Sequence, residues 1–268
     1  GTASEALISK HSAMRVGYYE DEFLGLFCRR KDRKPPLINR GYYARVESIN
    51  LVTQKFLNCT VGAPRQVLVI GGGYDTTCLK LLKAKTPDVQ YFEVDFPALI
   101  DKKAYLFMSA PLIRETVLGD SDLPEGMSTA QASSAQQREY GYEMGENFTL
   151  LSADLKEADT LLRCLDASRF DFSQPTLLIS ECVIVYMDKS SVESLCGSLA
   201  QRFAKEASPR ALWVSYDMFN PHDKFGKVMS HNLREGGIRV PGFTDYPTLI
   251  SQGQRFTSQG WGTAESIS

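Results

Sequence analysis

Four short stretches of the chain are built around apolar residues, and each ends at or just before glycine or an acid. Val67 to Ile70 meets Gly71-Gly-Gly73, and Gln90 to Val94 meets Asp95. Asn147 to Ser152 leads to Ala153-Asp154-Leu155, and Thr176 to Ser180 meets Glu181. Runs of this length bounded by turn residues read as strands, and the fully apolar Thr176–Ser180 run reads as one covered on both faces. A fifth strand is expected over Ala211 to Tyr216.

The intervening stretches follow a helical period. Residues 4 to 16 place Ala6, Leu7, Ala13 and Val16 on one side; from about Asn39, Ile49, Val52, Phe56 and Leu57 recur at helical spacing until Gly62-Ala-Pro64 breaks the pattern. Further helices are expected over 76–85, over 96–107, up to about Leu165, and over 190–204. Residues 119 to 146, rich in Ser, Ala, Gln and Gly, carry no apolar period and read as a surface insertion. Strands alternating with helices predict an α/β fold with a doubly wound, mostly parallel sheet and one domain spanning 1–268.

Ligands of such sheets lie beyond the carboxyl ends of the strands, where the glycines and acids fall. Glycine lets a ligand lie against the main chain. An acid ending the next strand, here Asp95, 20 residues after Asp75, accepts hydrogen bonds from ribose hydroxyls. The alternative for Asp95 and for Asp154 is an N-cap of the following helix. A pyrophosphate loop would read Gly-x-Gly-x-x-Gly. Gly71 and Gly73 fit, but Thr76 holds the third glycine position, and Asp75 stands where phosphate would sit. The loop therefore points to a nucleoside cofactor without phosphate, S-adenosylmethionine.

Composition narrows the class further. With 43% hydrophobic and 23% charged residues, the 268-residue chain has the make-up of a soluble globular protein. A formal charge of −2 and a pI near 6.0 give no reason to expect nucleic acid or a membrane as partner. No stretch approaches 18 apolar residues, and the N-terminus lacks the regions of a signal peptide. Cys28, Cys59, Cys78, Cys164, Cys182 and Cys196 form no Cys-x-x-Cys pair, and His11, His222 and His231 lie far apart. Reduced thiols, no metal and a cytoplasmic location are the expectation.

Several segments together make the match specific. Asn39-Arg-Gly-Tyr-Tyr-Ala-Arg45, the glycine run with Asp75-Thr-Thr77, and Tyr91-Phe-Glu-Val-Asp95-Phe-Pro97 are three of them. The others are Ala153-Asp-Leu155, Ile179-Ser-Glu-Cys-Val-Ile-Val-Tyr-Met187 and Asp223-Lys-Phe-Gly226. They resemble the leucine carboxyl methyltransferases over roughly residues 5 to 265. The resemblance implies a Rossmann-like methyltransferase that uses S-adenosylmethionine, releases S-adenosylhomocysteine, and methylates the C-terminal leucine carboxylate of the protein phosphatase 2A catalytic subunit.

It implies site residues as well. Lys10 and Arg45 are expected to hold the methionine carboxylate, Gly71 to lie against the cofactor, and Asp95 to bind the ribose. Asp154 and Leu155 are expected to frame the adenine, and Glu181 to touch the amino-acid end. The N-terminal helices, residues 1–64, would cover that site. Family loops have alanine or cysteine between the two outer glycines, where this chain has Gly72, and family chains continue past the Gly260-Trp261 segment to a strand at the sheet edge, so further chain beyond Ser268 is expected. A sister group that methylates a carboxyl group on a wybutosine-type guanosine of tRNA is the alternative; its members carry a propeller after this domain.

A C-terminal carboxylate, with a pKa near 3.5, is ionised at neutral pH. No general base is then required, and alignment and exclusion of water are expected to carry catalysis. Arg45 is expected to steer the incoming carboxylate and Tyr186 to form a wall or donor. The protein is expected to act as a monomer.

Overall fold

The computed structural model describes residues 2–118, 137–207 and 210–268. Their centre is a seven-stranded sheet in the order β3-β4-β5-β2-β1-β6-β7. The parallel part comprises β1 (Arg65–Ile70), β2 (Val89–Asp95), β5 (Phe148–Ser152), β6 (Thr176–Glu181) and β7 (Ala211–Tyr216). From β1 the chain builds outward through β2 to β5, then returns to the other side of β1 for β6 and β7. That reversal makes a switch point between β1 and β6, beside which ligands bind in this architecture.

The pleat sorts each strand's side chains onto two helical layers. Val67 and Val69 of β1, with Tyr91 of β2 and Ile179 of β6, pack into one core. It is covered by α1 (Thr2–Arg15), α2 (Leu24–Phe27), α3 (Pro36–Cys59), α4 (Thr77–Lys83), α5 (Pro97–Ser109) and α6 (Pro111–Leu118). Leu68, Ile70, Phe92 and Leu178 face the opposite core, under α7 (Ala158–Ala167) and α8 (Lys189–Ala204). The doubly wound, mostly parallel sheet and the N-terminal helices are as the sequence pattern predicts.

Residues 119–136 of the expected insertion lie outside the described residues. Residues 137–144 correct that expectation: β3 (Gln137–Arg138) and β4 (Gly141–Met144) form an antiparallel hairpin that extends the sheet beyond β5. It shows no apolar alternation because polar contacts secure it. Glu143 accepts from Tyr140 at 2.5 Å, from Arg138 at 3.2 Å and from Arg169 at 3.0 Å. Charged side chains are common on edge strands, where they discourage further pairing.

After β7 come α9 (Lys224–Glu235), α10 (Pro241–Asp245) and α11 (Leu249–Thr257). Asp223 caps α9, its carboxylate accepting from Gly226 N at 2.6 Å. No helix among the described residues is long and apolar enough to cross a membrane.

Candidate active site

Strand register aligns the candidate residues. Leu151, Val94, Ile70 and Ser180 stand side by side across β5, β2, β1 and β6. The next residue on each strand is Ser152, Asp95, Gly71 and Glu181. Three of these four belong to the expected site, and Asp154 and Leu155 follow two and three residues beyond Ser152.

The turn after β1 explains its glycines. Gly71 N and Gly72 N both donate to the Val94 carbonyl, at 2.8 and 3.2 Å, so the chain curls over the end of β2. Gly71 has φ +67°, and a Cβ there would lie 2.5 Å from Val183 Cγ1. Only glycine satisfies both the left-handed conformation and that approach. Asp95 braces the same turn. Its carboxylate accepts from Gly73 N at 2.8 Å and Phe96 N at 2.7 Å, while α5 begins after Phe96 as N-cap. Nor is Asp154 an N-cap: it closes a local turn by accepting from Lys156 N at 3.0 Å, and Glu157 precedes α7.

Helices α1 and α3 bring two cations to this edge. Lys10 Nζ donates to Glu181 Oε2 at 2.9 Å and to Asp75 Oδ2 at 3.4 Å. Arg45 Nε donates to Glu181 Oε1, and Nη2 lies 3.4 Å from the Glu181 carbonyl. All four side chains are at most 14% exposed, so these are largely desolvated pairs. The Tyr19 hydroxyl fixes α1 here by donating to the Lys10 carbonyl at 2.9 Å. Lys10, Tyr19, Asp75, Thr76 and Glu181 line a cleft of about 10 Å³, room for no more than one water.

The charges tune one another. Burial works to raise the Asp75 carboxyl, but Lys10, Lys103 and Lys80, with the Thr77 N–H, outweigh it and hold it at about 2. Burial likewise opposes ionisation of Glu181, and Lys10 and Arg45 overcome it, leaving its pKa below the ordinary value. For Lys10, burial disfavours the ammonium, yet Glu181 and Asp75 leave its pKa raised. All three groups are charged at neutral pH. Tyr186, in the 3₁₀ turn Ile184–Tyr186, is half-buried; burial pushes its phenol up to about 12, against the pull of Arg45.

The structure thus joins Lys10, Arg45 and Glu181 directly and sets Gly71 and Asp95 against the same turn. Asp154 and Leu155 lie one strand away, linked through the bond from Ala153 N to the Asp95 carbonyl at 3.0 Å. Sequence reasoning took Asp75 only as an obstacle to phosphate; here it is a partner of Lys10. It also passed over Glu93 and Lys103, a buried pair behind the glycines. An acid inside an apolar strand, and a lysine on the stripe Ile100, Lys103, Ala104, Phe107 of α5, were the available signals.

The profile of the family described as leucine carboxyl methyltransferase matches residues 3–200. The chain belongs to this methyltransferase family. The bovine (Bos taurus) protein named leucine carboxyl methyltransferase 1 is 32% identical over 268 residues, covering 100% of this chain and 76% of that protein. The Arabidopsis thaliana protein named as its homolog is 29% identical over 97% of this chain and 73% of its own length. A rat (Rattus norvegicus) protein named tRNA wybutosine-synthesizing protein 4 is also 32% identical over 99% of this chain, which spans 37% of its length.

Proposed function

We propose that this chain uses S-adenosylmethionine to methylate the C-terminal leucine carboxylate of the protein phosphatase 2A catalytic subunit. The observation that carries the cofactor reading is the cluster of two cations and two acids beside the glycine turn. A methionine head group is a zwitterion, and Lys10 and Arg45 match its carboxylate as Glu181 and Asp75 match its ammonium. The Gly71 turn admits a ligand against the main chain, and the Asp95 carboxylate, half exposed at the edge, retains acceptor capacity for ribose. The residue types present fit the group, and to admit it the ion pairs that close the cleft have to part and trade partners with it. Asp154 and Leu155 take the adenine side.

When bound, the cofactor supplies a methyl group on a sulfonium. The chain's residues hold its head group and bring the substrate carboxylate into line with that carbon. The carboxylate is ionised before it arrives, so no residue has to remove a proton. Arg45, which is paired with Glu181, and Tyr186, five residues beyond Glu181, orient the incoming group and limit water around it. The match to proteins named leucine carboxyl methyltransferase 1 over most of their length supports the substrate assignment.

The test has two parts. Calorimetric titration should give micromolar binding of S-adenosylhomocysteine with a raised melting temperature, and neither effect with NAD. Tritiated methyl should pass to a phosphatase catalytic subunit ending in leucine and leave a subunit lacking that leucine unlabelled. Tight NAD binding overturns the cofactor, and equal labelling of the truncated subunit overturns the C-terminal target. Label on a tRNA carrying the wybutosine precursor, with none on the subunit, would move the chain to the sister activity.

A further inference from the structure

Glu93 sits in the middle of β2 between Phe92 and Val94, both fully buried in the core under α7 and α8. The pleat turns Glu93 the other way, toward α4 and α5. Lys103 of α5 donates to its Oε2, and both side chains are 1% exposed. Lys103 Nζ also donates to the main-chain carbonyl of Asp75 at 3.2 Å. A Cβ on Gly72 would lie 3.0 Å from Glu93 Oε2, so the carboxylate is pressed against the middle residue of the turn.

A fully buried ion pair is a poor means of gaining stability, because desolvation offsets the attraction and apolar residues of similar volume do as well or better. Burial pushes the Glu93 carboxyl up, to about 7, with Lys103 pulling it down and Asp75 adding to the rise. Such a pair under a ligand loop calls for a role in the loop. Its contacts supply one. The segment 72–75 is tied at Gly73 N by Asp95 and at the Asp75 carbonyl by Lys103. With its main chain fixed there, Asp75 presents one carboxylate oxygen to Thr77 N at 2.8 Å and the other to Lys10.

We infer that Glu93 and Lys103 are positioning residues for the amino-acid end of the cofactor site. They hold the turn so that Asp75 and Lys10 stand ready for a zwitterionic head group. This rests on the reading of the site given above. Neither side chain bonds to Asp95, Asp154 or Leu155, the residues assigned to the nucleoside end, so the influence of the pair is confined to ligands that carry the amino-acid head.

The experiment compares S-adenosylhomocysteine with 5′-methylthioadenosine, which lacks that head, by calorimetry on the parent and on Glu93→Leu/Lys103→Met. Replacing both charges avoids leaving one buried alone. The Kd of S-adenosylhomocysteine should rise at least about tenfold while that of methylthioadenosine stays within about twofold. Should the double variant not fold, Lys103→Met at pH 6.5 is the second arm, since Glu93 can then be neutralised by a proton; the same split is expected. Unchanged affinity for both ligands, or equal weakening of both, would reduce the pair to a structural element and overturn the inference. A parent protein that fails to bind S-adenosylhomocysteine would instead overturn the reading of the site.

Discussion

Replacing Arg45 by lysine tests the cation cluster most sharply, because it keeps the charge and removes the shape. The guanidinium spans two acceptors of one residue, the Glu181 carboxylate and the Glu181 carbonyl, and lies 5.2 Å from the centre of the Tyr42 ring. An ammonium can satisfy one of those acceptors and cannot reproduce a planar fork. A charge-assisted hydrogen bond contributes roughly 1.5 to 3 kcal/mol net, and the lysine recovers part of it. A loss of about 1.4 kcal/mol in transition-state stabilisation follows, or at least about tenfold in kcat/KM. The fold should survive: the same energy lowers Tm by only about 3 to 6 °C in a chain of this size. The assay is the initial rate of tritiated methyl transfer to the leucine-ending phosphatase subunit, with circular dichroism as the control for folding. Full activity in folded Arg45→Lys would make Arg45 a bystander and refute the reasoning.

Two further substitutions separate the roles of the acids. Asp95→Ala should lower affinity for S-adenosylhomocysteine by roughly 1.5 to 3 kcal/mol and Asp95→Asn by less, since the amide keeps one acceptor; a calorimetric Kd for Asp95→Ala equal to the parent's would move the ribose elsewhere. Asp75 is held at about 2 against an ordinary 3.8, so its contribution, on the order of 2 kcal/mol, is complete above pH 4 and lost as pH falls through 2. In urea unfolding, the stability gap between parent and Asp75→Asn should therefore close between about pH 4 and 2, and a gap independent of pH would show that the carboxylate's charge is not what stabilises.

The sheet was legible because its central strands are covered on both faces. A strand such as β6, buried from Thr176 to Ser180, carries an apolar centre, Leu177 to Ile179, and its end is marked by Glu181, the first residue that leaves full burial. The same rule made Asp95 and Glu181 stand out. It fails where polar residues face inward. The buried residues of α11 are Gln252 and Arg255, the latter paired with Asp217 at 2.7 Å and with Ser215 at 2.8 Å; an apolar period cannot reveal such a helix. The β3–β4 hairpin was missed for a related reason, its pairing being secured by Glu143 and two arginines. Lys10 gave no signal of its own, because only the packing of α1 against α3 brings it to Glu181, 171 residues away.

Charge balance explains why one carboxylate mattered at both levels. Lys10, Arg45, Asp75 and Glu181 sum to zero within one small, largely buried cluster. A zwitterionic head group can trade partners with them like for like, its carboxylate taking the cations and its ammonium the acids. A phosphate brings negative charge and no cation to answer Asp75 and Glu181. At about 4 Å and an effective dielectric near 20, each such encounter costs about 4 kcal/mol, more than a single hydrogen bond returns. The acid that stands where phosphate would sit in a pyrophosphate-binding loop is thus the one that pairs with Lys10 in the fold. Both facts favour a cofactor that arrives with its own ammonium.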